Sequence, residues 1–155
     1  MEKVSKLQSI QKDAQHVAEA ISSSLDLEAE IVDKTLTIVA GTGRYHDMVG
    51  LKEEGGDPQA GYIYGRVITR GKAEIVEDAP NDARSDPSVR LGKTHELAEI
   101  CCPIIAQGNV LGVIGLVAFT DTQLDHLLKR KDQLVDFVHR MAELLASKAV
   151  EAETL

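Results

Sequence analysis

The stretch that most constrains this chain is EICCPIIAQGNVLGVIGLVAF, residues 99–119. It reads as two apolar runs hinged at Gly108-Asn109, a pair of turn residues of the kind that closes a tight hairpin. Along the second run, Val110, Ile114 and Leu116 point one way, while Leu111, Val113, Val117 and Phe119 point the other. Side chains alternate faces along a strand, so a strand that is apolar on both faces must be covered on both. The hairpin is therefore expected at the centre of a sheet, with helices on one side and a different layer on the other.

The flanking sequence supplies both layers. Val4, Leu7, Ile10, Ala14, Val17, Ala18, Ile21 and Leu25 recur at helical steps and predict a helix over residues 2–24. Two short strands follow, Glu28 to Asp33 and Thr35 to Ala40, with a turn at Asp33-Lys34. Residues 44–59 are polar and irregular. Gly61 to Arg70 suits a short helix stopped by Gly71, and Ala73 to Glu77 a third strand. Asp78 to His95 is a long polar loop, of a length that tends to carry function. After the hairpin, Thr120 and Gln123 form a capping-box pattern, and apolar residues from Leu124 to Leu145 predict a final helix over 121–149. Their period, near 3.5, leaves two readings open: a helix packed on the sheet, or a seam shared with a second copy or a further domain. The expectation is one domain over residues 1–155, of the α+β class. Terminal helices pack on one face of an antiparallel sheet with its core in 28–119, and loops roof a small-molecule pocket on the other.

A net charge of −8, with no basic stripe, disfavours direct nucleic-acid binding. No apolar run is long enough to span a bilayer, and no membrane partner is expected. Two adjacent cysteines and no visible export signal point to a reduced, cytoplasmic setting.

The chain has three tyrosines, two phenylalanines and no tryptophan. Tyr45, Tyr62 and Tyr64 cluster in sequence, which with Arg44 and Arg66 makes them the leading pocket candidates: phenol rings to hold a polar molecule, guanidinium groups to pair with an anion. Tyr62 and Tyr64 share a face only if that segment is extended. His95 and Glu96 could close the pocket from the end of the long loop. Cys101 and Cys102 must face opposite ways in a strand, so they cannot join one metal site or easily form a disulfide. One of them could line the pocket, and Cys102 is taken as that candidate. No cofactor or metal is expected, nor any catalytic residue: GxSxG and HExxH motifs are absent.

The runs Gly65-Arg66-Val67 and Gly71-Lys72-Ala73-Glu74-Ile75-Val76-Glu77-Asp78, with Pro103-Ile104-Ile105, Gly108 and Leu111-Gly112-Val113-Ile114, resemble a GAF domain, a sensory fold related to PAS. The segments 18–45 and 99–123 further resemble the N-terminal sensor of bacterial sigma-54-dependent transcriptional regulators. The resemblance implies an unidentified small-molecule effector and downstream ATPase and DNA-binding domains not contained in this chain, and the period of the final helix adds the expectation of a homodimer through the terminal helices. Some such sensors carry cysteines in the loop matching Ala79 to His95. This loop has none, which gives an iron–sulfur site no support. Two alternatives remain open: a GAF-fold dimerisation module without ligand, its interior collapsed around Tyr62 and Tyr64, and an enzyme like the free methionine sulfoxide reductases, which share the fold.

Overall fold

The computed structural model describes residues 4–87 and 95–153. Five strands form one antiparallel sheet: β1 Glu28–Asp33, β2 Ile38–Gly41, β3 Glu74–Val76, β4 Ala98–Ala106 and β5 Asn109–Ala118, in spatial order β2-β1-β5-β4-β3. The β4–β5 hairpin lies next to the sheet's midline, as its two apolar faces require. Its turn is Gln107-Gly108, one residue earlier than expected. Both turn residues have positive φ (52° and 79°), and Ala106 pairs with Asn109 to close the loop. A bulge interrupts the alternation of β5: Ile104 faces Gly112 and Ile105 faces Val110, so Leu111 is unmatched and joins the opposite core from Val113.

One face of the sheet carries the terminal helices α1 Gln11–Leu25, α3 Asp121–Lys129 and α4 Lys131–Glu153. Between them and the sheet lies the larger aliphatic core, including Ile21, Ile31, Ile100, Cys102, Ile114, Leu116, Leu127, Val138 and Leu145. The first helix is shorter than expected. Ser5 and Gln8 cap each other reciprocally (3.0 and 3.1 Å), and a 3-10 turn at Gln8–Ile10 leads into α1. The Gln15 amide then grips Gly41 through both its backbone N–H and its C=O, fixing α1 over β2.

The final helix is two helices. The Thr120–Gln123 capping box is present at the start of α3, but the chain breaks at Arg130, whose backbone leaves the helical region. The seam residues Leu127, Leu134, Val138 and Leu145 are buried in the protein's own sheet-side core, the first of the two readings.

The other face is covered by α2 Ile63–Arg70 and by irregular segments. Gly71, at φ 67°, ends α2 as expected. The second strand begins at Ile38 rather than Thr35, because the buried Asp33 carboxylate accepts from Thr35 N–H, Thr35 Oγ1 and Thr37 N–H and folds 33–37 into a turn. A return segment then runs beside β2: Ile38 donates to Leu51 C=O and Glu53 to Leu36 C=O. The expected long loop is described up to Pro87 and again from His95, its middle lying outside the described residues.

Candidate functional site

The helix-covered side is aliphatic; the α2-covered side joins a smaller aliphatic cluster, with Val32, Ile38, Val67 and Val113, to a buried polar region. Strand alternation places Glu30 of β1, Gly115 of β5 and Cys101 of β4 in one cross-sheet row, with Glu28, Val117 and Glu99 in the next. Glu30 and Glu99 thus stand on the two strands flanking β5, and both are buried, at 0% and 3% exposure. Gly115 leaves the gap between them that α2 fills. A Cβ there would sit 2.2 Å from the Tyr64 hydroxyl.

Into this floor the covering segments insert further polar groups. Tyr64, on the first turn of α2, donates its hydroxyl to Glu30 Oε1 at 2.7 Å. The return segment beside β2 brings Glu53 and Glu54 in. Glu54 is buried and accepts from the Tyr64 and Gly65 backbone N–H groups (2.8 and 3.0 Å), doing the capping that Tyr62 at the N-cap does not. Tyr45, in the 3-10 turn Gly43–Met48, packs its ring near Phe119 and donates its hydroxyl to the buried Glu96 at 2.5 Å. The Cys101 thiol is 3.1 Å from Glu99 Oε1.

Five carboxyl groups therefore meet on one buried face. Burial pushes the Glu30 carboxyl well up, and the charge of Glu53 beside it adds to the effect. Burial does the same to Glu99, reinforced by Glu96. Glu53 and Glu54 are each raised to about 7, chiefly by burial; the two N–H groups held by Glu54 work against that rise. No lysine or arginine is among the leading influences on these four groups. Two arginines of the described residues on this side are engaged elsewhere: Arg66 forks onto Glu74 (2.7–3.0 Å), and Arg84 binds Asp82 and the Ile75 carbonyl. Among the described residues Glu30 Oε2 is a buried acceptor that no N–H or hydroxyl group reaches. Glu53 interacts with Glu30, and Glu96 with Glu99, as carboxyl pairs, an arrangement that holds only if each pair shares a proton. Among the described residues no three His, Cys, Asp or Glu are grouped so as to hold a metal ion.

Of the eight sequence-predicted site residues, the structure brings Tyr45, Tyr64 and Glu96 together at this cluster. Arg44 is exposed, its guanidinium stacked 4.2 Å over Phe119. Tyr62 precedes a helix, so it does not share a face with Tyr64. Arg66 faces Glu74 on the flank of α2. His95 is exposed, with a left-handed backbone. Cys102 corrects the sequence reading: it packs in the helix-side core, its sulfur 3.9 Å from the Val135 carbonyl, and Cys101 is the cysteine on the cluster face. Sequence reasoning missed Glu30, Glu53, Glu54, Glu99 and Cys101. A signal for two of them was present: an acidic side chain inside a strand that must be covered on both faces.

A family model described as "GAF domain" matches residues 9–147. The chain belongs to the GAF domain family. This GAF domain is 30% identical over 145 residues to UacR of Escherichia coli (strain K12), named as a candidate uric acid sigma-54-dependent transcriptional regulator. The match takes in 94% of this chain but 24% of UacR, so the chain spans about a quarter of that relative's length. Among solved structures, it resembles the GAF domain of A. aeolicus nlh2 in an inactive state, with a TM-score of 0.63 at 16% identity, covering 96% of this chain and 91% of that one. It also resembles the type II free methionine-R-sulfoxide reductase of Thermoplasma acidophilum, with a TM-score of 0.61 at 13% identity, covering 94% of this chain and 96% of that one. Both structural likenesses establish the fold.

Proposed function

We propose that this GAF domain is the signal-input module of a sigma-54-dependent transcriptional regulator. It would bind a small molecule over the Glu30–Gly115–Cys101 floor and pass the change to α4. The observation that carries this reading is the buried face of glutamates and tyrosines itself, in which Glu30 is fully buried against Glu53 and, among the described residues, Oε2 has no donor beyond a proton shared with it. Carboxyls that must hold or share protons to stay buried cost stability, and a core built only for packing would place apolar side chains there. The similarity to UacR supports the regulatory setting and makes uric acid the first molecule to try.

The output route is short. Helix α4 packs on β4 and β5, directly behind the cluster. A ligand that prefers one arrangement of the covering segments would shift the population of α4 positions by its difference in affinity between them. The test is native mass spectrometry of freshly purified protein for a retained small molecule. Hydrogen exchange with and without that molecule follows. Identical exchange across α4 in the two forms would sink the signalling role.

The reductase alternative has less support. A redox-active cysteine works as an accessible thiolate, whereas both thiols here are buried. Burial holds both well up, Cys102 to about 12. A homodimer through the helical seam also has less support, since the seam residues are occupied by this domain's own sheet.

A further inference from the structure

Glu30, Glu53, Glu54, Glu96 and Glu99 bring only acceptors when ionised. Against them the covering segments offer few donors: the Tyr64 hydroxyl to Glu30, the Tyr45 hydroxyl to Glu96, the Cys101 thiol to Glu99, and two backbone N–H groups to Glu54. Among the described residues donors run out before acceptors do, and Glu30 Oε2, fully buried with Tyr64 and Glu53 as neighbours, depends on a proton shared with Glu53. In the free protein, protons shared within the carboxyl pairs can fill the gap. A ligand that replaces them must bring hydrogen-bond donors. A ligand carboxylate or phosphate would add acceptors to a face already rich in them, and its charge would work against ionisation of the carboxyls it met. A carboxylate is best matched by two parallel N–H donors, the geometry found in amidines, guanidines and cyclic ureas.

Resting on the sensor reading above, we propose that the ligand meets this cluster with N–H groups: a nitrogen-rich molecule that offers at least two N–H donors to the Glu30, Glu53, Glu96 and Glu99 carboxyls and carries no carboxylate or phosphate at that end. Two sources share this chemistry, an organic cation of the amidine or guanidine type and a heterocycle built from ring ureas.

The experiment is calorimetry and thermal shift on the whole chain with two probe panels. One holds N–H donors: the cations benzamidine, guanidine and agmatine, and uric acid, which near neutral pH is a ring-centred monoanion that keeps N–H donors but has no carboxylate or phosphate. The other holds acids of similar size: benzoate, oxalate, inorganic phosphate and AMP. Binding confined to the first panel is expected. Benzamidine, guanidine or agmatine alone would assign the cation, and uric acid alone the ring urea. Binding only by acids overturns the ligand class and leaves the sensor reading standing. No binder in either panel, together with no retained molecule in native mass spectrometry, overturns both.

The Glu30→Gln variant supplies the residue-level check. It removes an acceptor from the cluster's centre while keeping the shape. Binding of the active probe should fall at least tenfold, with the ligand-free melting temperature unchanged or higher, because a buried ionisable group has gone while an oxygen remains to accept from Tyr64. Undiminished binding overturns the proposal. Should Glu30→Gln fail to fold, Glu53→Gln, at a half-buried position, is expected to weaken binding in the same direction, and its failure to do so is equally decisive.

Discussion

Raising the pH from 5 to 8 should destabilise this domain, in the opposite sense to a protein held by paired carboxylates. The sign follows from the direction of the shifts. Glu54 goes from 4.5 to about 7 on folding, so in that window the folded chain holds a proton that the unfolded chain has lost. Its contribution is fully present below about 4.5 and is lost as pH rises through about 7. At ~1.4 kcal/mol per pH unit, the gap converts to about 3 kcal/mol. For a domain of this size that is roughly 10 °C in melting temperature. Glu53 shares the window and the sign, and Glu30 and Glu99 extend the loss to higher pH. Asp82, held below its usual range by Arg84, acts only at more acid pH and does not offset the trend. The assay is differential scanning calorimetry at steps between pH 5 and 8 for wild type and Glu54→Gln. The variant keeps a side-chain oxygen for one of the two α2 N–H groups but cannot titrate, so its curve should be flatter and should cross above wild type near pH 8. A wild-type melting temperature that rises across this range, or a variant with an unchanged slope, would refute the account of the cluster.

Gly115→Ala should cost about 1–3 kcal/mol in a urea melt, since its Cβ would strike the Tyr64 hydroxyl and push it off Glu30; an unchanged midpoint would mean that α2 does not seat there. Leu145→Ala, at a fully buried position behind β4, should cost about 2–5 kcal/mol by the same measurement, and a cost under 1 kcal/mol would argue against α4 docking on the sheet. Neither cysteine should react with a disulfide reagent at pH 8 in the native protein, and both should after denaturation; rapid native labelling of Cys101 would show the cluster face to be open.

Features set by neighbouring residues were legible in the sequence. The Thr120–Gln123 cap, the Gly71 stop and the doubly apolar hairpin each rest on a few adjacent side chains. What failed was set by distant ones. Nothing in Leu128-Lys129-Arg130-Lys131 marks a helix end, for it contains neither glycine nor proline, yet the chain breaks at Arg130. Leu111 changed sides because a bulge against Ile104 and Ile105 shifted its register. At the site, tyrosines drew attention because they are scarce, and the arginines beside them suggested an anion. The structure turns both arginines away and gathers glutamates from segments as distant as 28–33, 53–54 and 96–99, a convergence that only the sheet order brings about.

Cys101 and Cys102 were set aside as chemistry, but their placement has a mechanical consequence. Strand β4 is a partition one residue thick, and these neighbours project from its two sides, one to Glu99 and one to α4. A small roll of β4 about its own axis moves the two side chains in opposite directions, as on a seesaw. Opposite Cys101 stands Gly115, where the Tyr64 ring fills the space; opposite Cys102 stands the buried Ile114. A roll of the partition would therefore press on Tyr64 on one side and on the helix-side core on the other, so that the packing of the two faces is coupled across a single peptide bond.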